Sequence, residues 1–411
     1  MIGNPLQRRD KMPRLSILAL VLVLLAGAAV PALAGSNGRK GTEGAPELSI
    51  AVGPRGAALG GAVVGDVSGV ESMFWNPAGL GSLTKTEAMF SHTQYFADMK
   101  LNYVGVATNL GAFGVVGFSA KVLSIGDVIV TTESAPEGTG EIAQPTFTVL
   151  GLTWARQFTD RVLFGATGQL VNEHVIQQGA TGMAFDFGFQ YLTDWRGLKL
   201  GMVMKNFGPS MKYDGPGTEI SLLPDDQDPS SQPRIFSTQS ANFELPSYFT
   251  MAGSMDVYSQ TAYKLTALGA LQNNNFEGNA LRAGLEWTYR DQIALRASYY
   301  GSFRGTMDRA TGEDDSKFEG GDDLYTGLGL GGGFNIRTGE TGKLGVDFCW
   351  RPVRDGLFDD IFDLGLFVGQ LIQRREPFRA ETELLLALME GILRVDEFLQ
   401  QQAFHGQEKK P

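Results

Sequence analysis

Residues 183–191 read Met183-Ala184-Phe185-Asp186-Phe187-Gly188-Phe189-Gln190-Tyr191, and their alternation decides the fold class. A period of two places Met183, Phe185, Phe187, Phe189 and Tyr191 on one face of a strand and Ala184, Asp186, Gly188 and Gln190 on the other. One face is bulky and apolar, the other small or polar. The pattern returns in Leu281, Ala283, Leu285, Trp287 and Tyr289 against Arg282, Gly284, Glu286 and Arg290. It returns again in Leu344, Val346, Phe348 and Trp350 against Gly345, Asp347 and Cys349. A soluble sandwich also alternates, so the compartment has to be read from the connections.

Counted forward, fourteen such segments follow one another from 86–96 to 360–370. Connections after odd-numbered segments are mostly long and polar: 126–145, 210–246, 273–278, 304–323 and 352–359. Those after even-numbered segments are tight, as at Gly111, Thr159-Asp160, Ser259-Gln260 and Asp291. An even count with long loops on one rim and short turns on the other is the pattern of a closed transmembrane barrel. Hydrocarbon tolerates no unpaired backbone, so a spanning sheet must close on itself. The fold class expected is therefore all-β: a 14-stranded antiparallel transmembrane β-barrel with an N-terminal helical plug and a C-terminal amphipathic helix. Trp154, Trp195, Trp287 and Trp350 fall at or near segment ends, where amphipathic rings sit at headgroup depth. The polar face assigns Lys121, Asp186, Arg282, Glu286, Arg290, Arg296, Asp347 and Asp363 to the lumen. Gly327, Gly329, Gly331 and Gly333 share one face and leave room for a plug or bend the wall.

Composition agrees. The chain has 54 glycines in 411 residues, against an average near 7%, and only 19% charged residues. With 43% hydrophobic residues it is not disordered, and a lone Cys349 excludes a disulfide scaffold. The net charge of −11 argues against nucleic acid as a partner. One long apolar run, 15–30, follows Arg8, Arg9, Lys11 and Arg14 and precedes Pro31-Ala32-Leu33-Ala34, the order of a secretory signal peptide cleaved after Ala34. Met12 is an alternative start. The expected layout is a signal peptide at 1–34, a plug or hatch segment at 35–85, the barrel at 86–370 and a periplasmic helical tail at 371–411. In the tail, Leu385, Leu388, Met389, Ile392, Val395 and Leu399 recur at helical spacing.

Ahead of the barrel, Asp66 is placed to cap a short helix sharing Val67, Val70 and Phe74 on one face, which Asn76-Pro77 must end. A helix too short to span is expected to sit in the lumen at the periplasmic mouth. The run Leu59-Gly60-Gly61-Ala62, then Asp66, then Trp75-Asn76-Pro77-Ala78-Gly79-Leu80 resembles the N-terminal signature of the PorV/PorQ family of outer-membrane barrels, grouped with the FadL-like fourteen-stranded transporters. Lys205-Asn206-Phe207-Gly208 and the hairpin 281–300 look like that family's later strands. The chain departs from the family in carrying about forty residues beyond the last strand.

The resemblance implies a location in the outer membrane of a Gram-negative-type bacterium, with lipid as a partner. It also implies one of two roles. In the first, a secretion-associated, type IX-like barrel receives cargo proteins or translocon components through loop 210–246, with Ile235, Phe236 and Phe243 in that loop's second half. In the second, a FadL-like transporter takes a hydrophobic small molecule such as a fatty acid into an apolar pocket, shifts the hatch Asp66 to Leu80 and releases the ligand near a strand bend. No catalytic, metal or cofactor site is expected. His92, His174 and His405 are too scattered for a metal cluster, and no Gly-x-Ser-x-Gly elbow occurs.

Overall fold

Among the described residues, fourteen long strands follow in order: β1 Thr86–Gln94, β2 Lys100–Asn109, β3 Val115–Ser124, β4 Thr146–Thr159, β5 Val162–Val175, β6 Gln178–Leu192, β7 Lys199–Phe207, β8 Tyr248–Ser259, β9 Tyr263–Asn274, β10 Ala280–Tyr289, β11 Ile293–Arg304, β12 Leu328–Thr338, β13 Gly342–Arg351 and β14 Ile361–Leu371. The computed structural model describes residues 41–132, 134–193, 195–222, 234–304, 317–320, 325–338, 342–354 and 360–371. The signal segment, the C-terminal helix expected over 385–399 and most of loop 304–323 lie outside them. Each long strand is antiparallel to its neighbours, and β1 pairs with β14 through Ala88↔Val368, which closes the sheet.

The alternation of residues 183–191 runs inside out relative to a soluble protein. Met183, Phe185 and Phe187 are 52%, 41% and 44% exposed, while Ala184, Asp186 and Gln190 are buried. Leu152, Leu295, Phe334 and Phe348 carry the same outward apolar belt around the wall. A surface of that size and character is stable against hydrocarbon, not water. The chain is an outer-membrane-type β-barrel that spans the bilayer with its strands. Among the described residues no helix is long and apolar enough to cross. On the turn rim, Phe113, Phe158 and Phe164 surround Trp154, and Tyr263, Trp287 and Tyr289 form a second aromatic group. Trp350 stands on the loop rim, donating through Nε1 to Asp360 at 3.0 Å, and Trp195 is exposed in the turn after β6.

Connection lengths follow the expected parity with three exceptions, one being the β9–β10 link, residues 275–279. The β5–β6 link on the loop rim is only Ile176-Gln177, with Ile176 at φ 53°, and the β1–β2 link is residues 95–99. Arg290 is corrected. It lies in the tight β10–β11 turn at φ 50°, exposed, where the chain leaves the wall one residue after Tyr289. The other seven charges assigned to the lumen are on the inner face, and six of them are buried, Arg282 being part-exposed.

The lumen is filled by residues 43–85. Their elements are all short: a 3-10 turn Pro46–Leu48, α1 Pro54–Ala58, a 3-10 turn Ala62–Gly65, α2 Ser72–Trp75 and a 3-10 turn Pro77–Ser82. Val52, Leu59, Ala62, Val63, Val67, Val70 and Leu80 from this plug form the largest buried cluster, together with inward wall residues such as Met89 and Leu101. The glycine content now has a reason. Wall glycines face the plug where it comes closest: Gly165 and Gly188 lie on Pro77, Gly201 on Val64, and Gly331 on Ala58. A Cβ at any of them would overlap plug atoms. The plug spans more of the lumen than the periplasmic mouth alone. Its outer end is tied to the long loop through Gly44 N–H to Glu244 O at 3.0 Å, and its inner end reaches the turn rim, with Gly81 against Arg156.

Candidate functional site

The plug divides the lumen into two cavities of different chemistry. The outer chamber, about 670 Å³, lies under the loops. Ile50, Phe74, Phe96, Leu123, Phe147 and Phe276 make much of it apolar, and Arg282, Ser298, Tyr300, Tyr325 and Arg351 give it one polar side. The inner vestibule, about 780 Å³, is lined by Arg55, Asp66, Glu71, Lys199, Glu286, Arg296 and Asp347.

Local sequence builds the partition. Asn76 is extended at φ −160° and ends α2, as the Asn-Pro pair requires. Its side chain then works in three directions. Oδ1 accepts from Ala78 N at 3.1 Å, capping the following 3-10 turn. Nδ2 donates to Val64 O at 2.7 Å within the plug and to Phe189 O at 3.2 Å in the wall. Trp75 Nε1 donates to Val52 O at 2.9 Å, and its ring covers Gly56. Pro77, Ala78, Gly79 and Leu80 are buried beneath the wall of β4 to β6. Asp66 is corrected as a helix cap. α2 starts six residues later, and the Asp66 carboxylate is committed to cations instead.

Those cations belong to a chain of alternating charge. Lys199 on β7 binds Asp66; Asp66 Oδ2 takes Arg55 Nη2 at 2.7 Å; Arg55 grips Glu286 on β10 through Nε at 3.0 Å and Nη2 at 2.7 Å. Glu286 then binds Arg296 Nε on β11 at 2.7 Å, and Arg296 Nη1 binds Asp347 Oδ1 on β13 at 2.6 Å. Two plug residues are thus pinned to four strands. Burial opposes the ionised form of Asp66, but Arg55 and then Lys199 outweigh it and hold its carboxyl below the usual carboxylate range. Glu71 accepts Gly56 N–H at 2.8 Å, yet burial pushes its carboxyl up to about 7 against the pull of Arg55.

A second set of charges grips α2. Asn206, at φ 56°, sits in a β7 bulge, its N–H bonded to Asp186 Oδ1 at 2.7 Å and its Nδ2 to Pro246 O at 3.0 Å. Lys205 continues the inward face of Gly201 and Val203, and its Nζ bonds Phe74 O at 2.5 Å and lies 3.8 Å from the Phe74 ring centre. Lys121 Nζ bonds Ile50 O at 2.7 Å and lies 4.7 Å from the same ring. Phe74 is therefore held between two ammonium groups. The bend in the wall is filled by these residues. Asp363 accepts from Ser91 Oγ at 2.7 Å away from both sets.

In the chamber the cations are less committed. Arg282 Nη1 donates to Gly60 O at 2.6 Å and its guanidinium lies 5.1 Å from the Tyr300 ring centre. Arg351 lies 4.8 Å from the Tyr325 ring centre. Among the described residues, Arg282 Nε, Arg351 Nε and Nη2, and Ser298 Oγ have no hydrogen-bond partner although buried. Reading by residue type missed Arg351, Arg55, Lys199 and Lys205. Arg55 and Lys205 stood inside stretches already singled out, and Lys205 follows Gly201 and Val203 at a period of two, so alternation alone places it on the inward face. Of the loop residues, Phe243 packs on Tyr213 at 5.4 Å and against Gly44 of the plug, and Ile235 lies in a short strand, Arg234–Ser237, with Phe236.

No family model matches the chain, and no curated protein matches it. Solved structures similar to it include the monoaromatic hydrocarbon channel CymD, at 11% identity over 79% of this chain and 98% of that chain with a TM-score of 0.48. A FadL homologue of Pseudomonas aeruginosa is 12% identical over 76% of this chain and 97% of its own, TM-score 0.43. The Pseudomonas putida toluene transporter TodX is 13% identical over 76% and 96%, TM-score 0.44. At these values the likeness is a distant one of barrel shape, and the functional reading rests on this chain's own cavities.

Proposed function

We propose that this barrel admits a small amphiphile from the loop side into the outer chamber, with the N-terminal plug barring further passage until it shifts. The observation that supports this most is the pairing of an apolar chamber with buried arginine N–H groups that have no hydrogen-bond partner among the described residues. Leaving a buried donor unsatisfied is costly, and a ligand oxygen would remove that cost. The chamber's size suits a small organic ligand. An anionic or strongly polar end would lie against Arg351 and Arg282, and the apolar remainder against Phe74, Phe147 and Ile50. Phe243, which a cargo-receiving role of loop 210–246 would use, is folded onto the plug.

Titration calorimetry of the detergent-purified protein with dodecanoate and dodecanol tests the reading. Saturable dodecanoate binding is expected, weakened about tenfold in Arg351→Met, the loss of one charge-assisted hydrogen bond, with dodecanol affected less. Absence of saturable binding, or binding unchanged from the parent in both Arg351→Met and the Arg282→Met, Arg351→Met double variant, would overturn it.

A further inference from the structure

At the outer end of the plug two carboxyl groups meet in an apolar setting. Glu47, in the turn Pro46–Leu48, faces Glu173 of β5, and both residues are at most 1% exposed. Leu48, next to Glu47, and Val171, two residues before Glu173, belong to one buried apolar cluster with Val149, Met211 and Leu245. Tyr213 donates its hydroxyl to Glu173 Oε2. Neither oxygen of Glu47, nor Glu173 Oε1, has a hydrogen-bond partner among the described residues. The nearby cation, Lys121 of β3, spends its ammonium on Ile50 O and the Phe74 ring, with Lys205 and Asp186 behind it. Glu43 and Glu244 form the adjoining bridge at the loop rim and add no positive charge.

Two carboxylates cannot both be ionised here without a cation between them. A divalent ion such as calcium takes six to eight oxygens, far more than two carboxyl groups and a phenol within an aliphatic shell provide. A proton needs only the two facing oxygens. We propose that Glu47 keeps its proton where it meets Glu173, forming a buried acid latch that fastens the outer end of the plug to the wall and weakens as pH rises. Burial first, and the Glu173 charge second, push the Glu47 carboxyl up to about 8, against the pull of its own backbone N–H and of Lys121. Released into water, the same carboxyl returns to about 4.3. The docked form keeps its proton to higher pH than the released form, so docking is fully supported below about pH 4 and loses ground until about pH 8. The latch stands on the plug–wall contact alone and holds whether or not the chamber takes an amphiphile.

Hydrogen exchange of residues 43–50, measured on the full chain in lipid nanodiscs from pH 5 to 9 and corrected for intrinsic rates, reads the opening directly. Protection is expected to fall about tenfold per pH unit between about 5 and 8 and to level off above. In Glu47→Gln, whose neutral amide donates to Glu173, protection should stay high and pH-independent, while the amides of β5 exchange as in the parent. Flat protection of the parent chain across pH 5 to 8, a series that needs no variant, would overturn the latch. So would an equal fall in Glu47→Gln.

Discussion

The outer chamber and the inner vestibule are close in size and share one plug, yet they treat charge in opposite ways. In the vestibule every cation of the chain Lys199–Asp66–Arg55–Glu286–Arg296–Asp347 has a carboxylate within ion-pair distance. In the chamber, Arg351 and Arg282 rest on tyrosine rings with N–H groups to spare. A fully paired network fixes a position, because breaking it strands a buried charge. An incompletely paired one waits for a partner. The inner side of the plug is tied to the wall by ion pairs, and the outer side carries the donors on which the proposed binding rests.

The comparison can be broken most sharply at its two arginines. Arg55→Met should strand Asp66 and Glu286 and cost about 3–5 kcal/mol, read as loss of plug protection in hydrogen exchange and as ion current across a planar bilayer. Arg351→Met, by contrast, removes donors that are already unsatisfied together with a charge near Asp363, and should cost about 1–2 kcal/mol, less than Arg55→Met. Equal effects at the two sites would erase the distinction. A smaller effect is expected where the wall makes room for the partition. Gly188→Val puts atoms onto Asn76 and Pro77 and should cost about 1–3 kcal/mol, loosening residues 76–82 while the sheet itself keeps its exchange protection. Unchanged protection of 76–82 would show that the glycine cradle is not needed for docking.

Much of the barrel was legible in the sequence, because bilayer-facing strands must alternate and their connections must keep parity. Residues 183–191 display the rule without exception, and the segment bounds fall within a few residues of β1 to β14. Arg290 failed because alternation continues formally into a turn, where positive φ takes the side chain off the wall. The Asn76-Pro77 stop was readable, since its cause is local backbone geometry. The role of Asp66 was not, for its partners Lys199 and Arg55 depend on a plug folded inside a closed wall. The chamber was hidden for the same reason. Its arginines come from β10 and β13 and its floor from the plug, and only closure of the sheet brings them to one cavity.

Anomalous scattering locates a ligand in the outer chamber directly. Crystals grown with 12-bromododecanoate should show one bromine peak among Phe74, Phe147 and Ile50, with the carboxylate density at Arg351 or Arg282. A bromine confined to the lipid-facing wall or found in the charged vestibule, with the chamber empty, would contradict the proposed binding.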